Sequence, residues 1–347
     1  MRGSITAFLS VCLVLCFSRK AEAQDAVFSQ FFNTTLYLNP ALAGIEDDFT
    51  VNMNHRSQWK SLQFPYTTSQ VSLIMPYYSS KHAKPFGHWG GTGLSVYNDI
   101  SGENKSFKTT GANASAAYNL PFDHNFVNQI TFGLQIGLIN KRVDTSNLQW
   151  GEQYNPFVGF DSSIAPSEVG NFQNRSFVDI SSGIFWWYNP IEKAGRIIKS
   201  INSGLSVAHM NNPNESLLSD KQSRLPLLYK YHGGMVFNLS RNATVSANVL
   251  VAFQNNTSQE NIGSYLSYKI NGLSENNMKE TILRLGVWAR VNDSFIFLTE
   301  METGVFKFAY SYDLNSSSLR YNSRSIGTSE IHLGLKFTQH AHPKSRY

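Results

Sequence analysis

Seven ionisable side chains alternate with apolar residues in a way that forces them onto one side of a wall. They are Asp179, Lys230, His232, Arg284, Arg290, Lys307 and Asp313. Val178, Ile180 and Ile184 alternate with Asp179, and Tyr231, Met235 and Phe237 take the parity opposite Lys230 and His232. Leu283, Leu285 and Val287 oppose Arg284, Trp288 and Arg290, while Phe306, Phe308, Tyr310 and Tyr312 oppose Lys307 and Asp313. Carboxylates and cations gathered in a narrow, partly dry space should pair, because an unpaired charge there costs several kcal/mol. The chemistry on offer is therefore a salt-bridged interior, a polar path, or a binding surface for a plug or partner segment. A metal site would need His209, His232 and Asp179 to converge from different segments, and spacing supplies no such convergence. No metal ligand is assigned.

Catalytic motifs are absent. The chain holds no H-E-x-x-H, no G-x-S-x-G and no Walker A loop. Gly91-Thr-Gly93 begins like a dinucleotide fingerprint, but Val96 holds the third glycine position, and the segment alternates like a strand. A barrel-edge hydrolase would need a serine beside a histidine, and no spacing selects one. His340-Ala-His342 sits in a basic tail and reads as solvated. The expectation is a non-enzymatic protein without a cofactor.

The elements that place these residues are strands. Apolar and polar residues alternate with period two, the mark of a strand with two unlike faces. Fourteen segments qualify, near 49–59, 66–76, 89–98, 108–120, 127–141, 176–188, 200–209, 229–239, 243–253, 262–270, 281–291, 294–301, 304–313 and 329–337. Most match the roughly 9–11 residues of a tilted bilayer-crossing strand. In one of them Ile130, Phe132, Leu134, Ile136 and Leu138 share a parity, and Thr131, Gly133, Gln135 and Gly137 share the other, with glycine inward where a lumen is crowded. The predicted fold is all-β: a transmembrane antiparallel β-barrel of about fourteen strands. Twelve is the alternative count, because 89–98 and 294–301 are weak. Leu239–Asn242, Val291–Asp293 and Glu302–Gly304 read as tight hairpin turns, and Asp144–Arg175, Met210–Leu228 and Ser316–Thr328 as long polar loops. Aromatics near strand ends suit headgroup girdles: Trp59, Tyr66, Tyr77, Tyr78, Trp89, Tyr97, Tyr118, Trp186, Trp187, Tyr188, Tyr229 and Tyr231.

Composition agrees. Charged residues make up 15% of the chain, against roughly 25% in soluble domains. A net charge of +5 is too mild to argue for nucleic acid. Beyond residue 23 no apolar run reaches the about 20 residues of a spanning helix. Residues 1–23 read as a signal peptide, with Arg2, an apolar core from Ile5 to Phe17, and an Ala21-Glu22-Ala23 cleavage site. Both cysteines, Cys12 and Cys16, fall inside it, so the mature chain should hold no disulfide. Residues 24–48 precede the first strand and should fold into the lumen or sit at the periplasmic mouth. The barrel should span 49–338 and a periplasmic tail 339–347.

Motifs in order along the chain carry a resemblance. Gln24-Asp-Ala-Val-Phe-Ser-Gln30, Asn39-Pro-Ala-Leu-Ala-Gly44 and Arg56-Ser-Gln-Trp59 come first. Asp179-Ile-Ser-Ser-Gly183, Gly204-Leu-Ser-Val-Ala-His209 with Pro213, and His232-Gly-Gly-Met-Val-Phe237 follow. Tyr310-Ser-Tyr-Asp313 and Ser329-Glu-Ile-His-Leu333 close the series. Together they resemble the PorP/SprF family, outer-membrane components of type IX secretion and gliding motility in Bacteroidetes. The resemblance implies a role in secreting exported proteins or holding them at the surface. Its partners would be a large adhesin or other type IX cargo, periplasmic or outer-membrane secretion and motility components, and the lipid bilayer. The family's usual Gly-Ser-His-Glu is here Gly327-Thr-Ser-Glu330. From the barrel alone, the competing function is a passive channel for small solutes.

Overall fold

In the computed structural model, the structure describes residues 25, 27–59, 65–78, 88–122, 127–146, 148–190, 197–219, 221–270, 281–317 and 326–337. The proposed signal peptide and the whole C-terminal tail, His340-Ala-His342 included, lie outside them. Fourteen strands close into one antiparallel barrel. They are β1 (Phe49–Gln58), β2 (Tyr66–Tyr78), β3 (His88–Ser101), β4 (Phe107–Pro121), β5 (Asn128–Val143), β8 (Arg175–Tyr188) and β9 (Ile198–Ala208). The rest are β10 (Leu228–Asn238), β11 (Ala243–Gln254), β12 (Thr257–Ile270), β13 (Thr281–Arg290), β14 (Ser294–Thr303), β15 (Phe306–Asn315) and β16 (Ile326–Phe337). A two-stranded ribbon, β6 (Tyr154–Asn155) with β7 (Gly159–Phe160), decorates the connection between β5 and β8. Closure is antiparallel between β1 and β16, from Phe49 opposite Phe337 to Gln58 opposite Thr328. Closure leaves no strand edge unpaired, the condition for a sheet to cross lipid. Among the described residues no helix is long and apolar enough to cross a membrane.

Alternation sets the two faces. On β5, Phe132, Leu134, Ile136 and Leu138 point outward and are exposed, while Thr131 is fully buried inside. The seven ionisable residues all take the inward parity of their strands. Trp89 stacks on Tyr77 and tilts against Tyr118, an outer aromatic cluster at the ends of β2, β3 and β4. Tyr97 departs from the girdle expectation. Its parity on β3 turns it into the lumen, where its ring meets Tyr37 edge-on at 5.7 Å.

Strand direction defines two ends. The two longest connections, 144–174 and 209–227, share one end, here the loop end. Tight turns occur there too, at Asn255-Asn256 between β11 and β12 and at 291–293 between β13 and β14. The start of β1 and the end of β16 lie at the opposite, terminal end, with the turns 239–242 and 304–305. Two boundaries differ from the periodicity. β12 begins five residues before 262, because Ser258 and Glu260 occupy outward positions there and give no apolar contrast. β15 begins at Phe306, since Gly304 and Val305 form the turn, with Gly304 at φ 56°.

Candidate functional site

The lumen is occupied by the chain's own N-terminal segment. It folds as three short turns: a 3-10 turn at Phe31–Asn33, one helical turn at Thr35–Leu38 and a 3-10 turn at Pro40–Gly44. Asn39 caps the last, accepting from the Ala41 amide at 2.9 Å, with Pro40 pre-set at its first position. Short turns leave many backbone groups without partners inside the segment, and the barrel wall supplies them. Gln70 donates to the Thr34 carbonyl, Gln135 to Leu36, Lys230 to Tyr37 and Ser206 to Leu38. Asn119 and His88 both reach the Gly44 carbonyl, at 2.6 and 2.7 Å. These partners come from β2, β3, β4, β5, β9 and β10, so the segment is held around the barrel rather than against one strand.

Its path runs the length of the lumen. Asp25 lies by the loop end, bonded to His209 just beyond β9, and Gly44 lies by the terminal end, where β3 begins. Inward glycines on the wall make room for it. A Cβ on Gly133 would stand 2.2 Å from the Ala41 nitrogen, and one on Gly183 would stand 2.0 Å from the Asn39 side-chain oxygen.

Near the loop end the contacts are charged. Glu330, fully buried, accepts from the backbone amides of Ser29 at 2.7 Å and Gln30 at 3.2 Å. The Ser29 hydroxyl donates to Asp313 at 2.6 Å and accepts from Arg290 at 2.9 Å. Arg290 also pairs with Asp293 at 2.9 Å and Asp313 at 3.4 Å. Across the barrel the His209 imidazole is clamped between Asp25 at 2.6 Å and Asp179 at 2.8 Å. Burial alone would lower the His209 pKa, but the two carboxylates outweigh it and push it up to about 9. Burial alone would raise the Asp25 pKa, but His209 and nearby lysines hold it at about 2. His209 takes the left-handed backbone conformation, φ 61°, which ends β9 one residue before the strand that alternation predicts.

Midway, Asn39 meets the His232 ring at 3.1 Å and donates to the carbonyls of Ile184 and Leu205. His232 stacks on Phe185 at 5.6 Å. Lys230 lies 4.5 Å over the Tyr37 ring. An apolar cluster packs at this level: Phe31 and Leu38 of the segment against Leu250, Tyr265, Trp288, Ile296 and Leu298 of the wall. Phe31 meets Trp288 edge-on at 5.1 Å, and Phe32 stacks on the same indole at 5.8 Å.

Below that cluster, Arg284 pairs with Glu300 and, at 2.9 Å, with Glu302. Lys307 donates to the Asn33 side chain at 2.8 Å and lies 3.4 Å from Glu300, and Lys336 pairs with Glu302 at 2.8 Å. The seven expected residues thus fall into distinct groups. Arg290 and Asp313 share one group near the loop end, and Arg284 and Lys307 share Glu300. Asp179 joins His209, while Lys230 and His232 bind the N-terminal segment. His209 and Asp179 do meet, but His232 lies with Asn39. Among the described residues no group of three or more His, Cys, Asp or Glu is arranged to hold a metal.

Three residues that alternation did not single out prove central to these contacts: Glu330, Asp25 and His209. Glu330 was accessible to the same reasoning, since Ile331 and Leu333 point outward beside it. Asp25 and His209 carry no periodic signal. Their pairing joins positions 184 residues apart and depends on where the segment lies.

Residues 20–335 match the family described as type IX secretion system membrane protein PorP/SprF. No curated protein matches the sequence. Among solved structures, the chain is similar to the CymD monoaromatic hydrocarbon channel at 10% identity, covering 89% of this chain and 94% of that one, with TM-score 0.44. It is similar to a Pseudomonas aeruginosa FadL homologue at 11% identity, with coverage of 89% and 94% and TM-score 0.42. For KdgM porin the values are 10%, 84%, 99% and 0.35. These distant likenesses say nothing of function. The family match covers the luminal segment and nearly all of the barrel, and the chain belongs to the PorP/SprF family of type IX secretion system membrane proteins.

Proposed function

We propose that this protein is a non-catalytic outer-membrane component of the type IX secretion and gliding apparatus that supports secretion or surface anchoring of exported proteins such as large adhesins. In this reading the signal peptide is removed near Ala23, the terminal end faces the periplasm and the loop end faces outward. The observation that carries it is the N-terminal segment lying along the length of the lumen. A barrel whose interior holds its own N-terminal segment, bonded to strands on several sides, suits a docking platform rather than a conduit. The loop end offers the matching surface: Phe157 is 96% exposed and Val158 80% exposed between β6 and β7. Apolar side chains so placed suit a protein partner. The test is deletion of the gene. Loss of surface display of a large secreted protein, restored by the intact gene, is the expected result. A deletion strain that displays every exported protein normally would overturn the reading.

A further inference from the structure

The connection between β5 and β8 holds an apolar tip in a fixed shape. Gln153, buried at its centre, ties the two sides together. Its side chain donates to the Ile164 carbonyl at 2.9 Å, and its carbonyl accepts from the Asp161 amide at 2.8 Å. Tyr154 and Phe160 face each other across β6 and β7, with ring centroids 6.0 Å apart. At the turn the Asn155 side chain accepts from the Phe157 amide at 2.9 Å, and Gly159 takes φ 83°, a conformation that suits glycine. At the base Trp150 tilts against Phe172 at 5.8 Å. Phe157 and Val158 nonetheless stand out in water. An ordered apolar tip left in water marks a surface that a partner covers, and its fixed shape lowers the cost of binding. The surroundings give the sign of that partner. Residues 145–174 hold Glu152, Asp161 and Glu168 and no lysine, arginine or histidine, in a chain whose formal net charge is +5. Ser167 donates to Glu152 from its hydroxyl at 2.6 Å and its amide at 2.7 Å. Ser163 does the same to Asp161, at 2.6 and 2.9 Å. These bonds hold both exposed carboxyls below the usual carboxylate range. Serine donors leave the negative charge in place, where a lysine would have cancelled it.

We propose that the β6–β7 tip is a knob received by an exported protein in an apolar cleft rimmed with lysine or arginine. This rests on the surface-display reading above and names the chemistry of the partner. Phe157 and Val158 fill the cleft, an aromatic anchor of the kind that dominates interface energies. Glu152 and Asp161 meet its rim, which sets orientation and speeds encounter. The same carboxylates disfavour an anionic lipid surface. They also disfavour the tip of a second copy, which would set like charge against like.

The probe is the exported protein lost from the surface of the deletion strain, purified and titrated against the full chain in detergent at low and high salt. Phe157→Ser combined with Val158→Ser should weaken binding by about tenfold or more. Glu152→Gln combined with Asp161→Asn keeps an acceptor for each serine and removes the charge. It should weaken binding about threefold or more at low salt and match the parent chain at high salt. Binding unchanged by the serine pair would overturn the proposal, and so would binding unchanged at low salt by the neutral pair. In cells, a photoreactive side chain at position 157 should crosslink to the same exported protein. Crosslinks only to lipid or to a second copy of this chain would also overturn it. Unaltered heat-modifiable migration of each variant on gels checks that the barrel is intact. If the deletion strain loses surface display while the serine pair binds and displays as the parent does, the knob fails and the surface-display reading stands. If the deletion strain displays every exported protein, that reading fails and the knob falls with it.

Discussion

Replacing Glu330 by Ala should free the N-terminal segment near the loop end without opening the barrel. The carboxylate accepts two backbone amides, from Ser29 at 2.7 Å and from Gln30 at 3.2 Å, and all three residues are buried. Alanine leaves both amides without a partner. A buried polar group stripped of its hydrogen bond costs about 1–3 kcal/mol, so the pair costs about 2–6 kcal/mol. Arg56, buried and directly across the seam from Glu330, also loses its opposing charge, which adds to the penalty. A central value of about 4 kcal/mol corresponds to a roughly thousandfold rise in the population with the segment undocked. The barrel ladder is untouched, because β15, β16 and β1 pair through backbone groups. Hydrogen exchange in detergent, read by mass spectrometry, measures both. Amides of residues 29–39 should exchange orders of magnitude faster in the variant, while β4 and β5 keep their protection. Glu330→Gln, which retains one carbonyl acceptor, should fall between. Unchanged exchange over 29–39 in Glu330→Ala would refute the reasoning.

The His209 clamp predicts a pH dependence. A histidine whose folded pKa is about 9 against an ordinary 6.5 gives its full stabilisation below about 6.5 and loses it as pH rises through 9. Asp25, held at about 2 against 3.8, gives its share above 3.8 and loses it as pH falls through 2. Exchange of the Val27 and Phe28 amides should therefore be protected in excess of the intrinsic pH effect between pH 5 and 8, and that excess should vanish above pH 9 and in His209→Gln. Gly133→Leu should displace the 3-10 turn at Pro40–Gly44, because even a Cβ there meets the Ala41 backbone. Protease cleavage between residues 35 and 45 in a still heat-modifiable barrel is the expected readout, against none in the parent chain.

Strands were legible because lipid imposes one rule on every outward position, and that rule repeats along the chain. Leu134, Ile136 and Leu138 needed no knowledge of their neighbours. The same rule turned Asp179, Lys230, Arg284 and Asp313 inward, and it also reached Glu330. It failed where strands rise past the apolar band, as at Thr257–Glu260, where both faces are polar. It failed as well at Tyr97, where an aromatic near a strand end belongs to the lumen by parity. The N-terminal segment was the least legible. Its turns follow from Asn39-Pro40, but its partners, from Gln70 to Glu330, are single contacts separated by up to about three hundred residues. Nothing periodic announces that Ser29 will meet Glu330 or that Asp25 will meet His209.

Planar-bilayer recording addresses the closed lumen most directly. The purified full chain should insert without a steady ohmic step, because the N-terminal segment occupies the lumen and packs Phe31 and Leu38 against Leu250, Tyr265 and Trp288 of the wall. A chain lacking residues 27–44 should give discrete, stable conductance steps. A steady open conductance from the full chain, equal to that of the shortened one, would contradict the closed lumen and favour a channel.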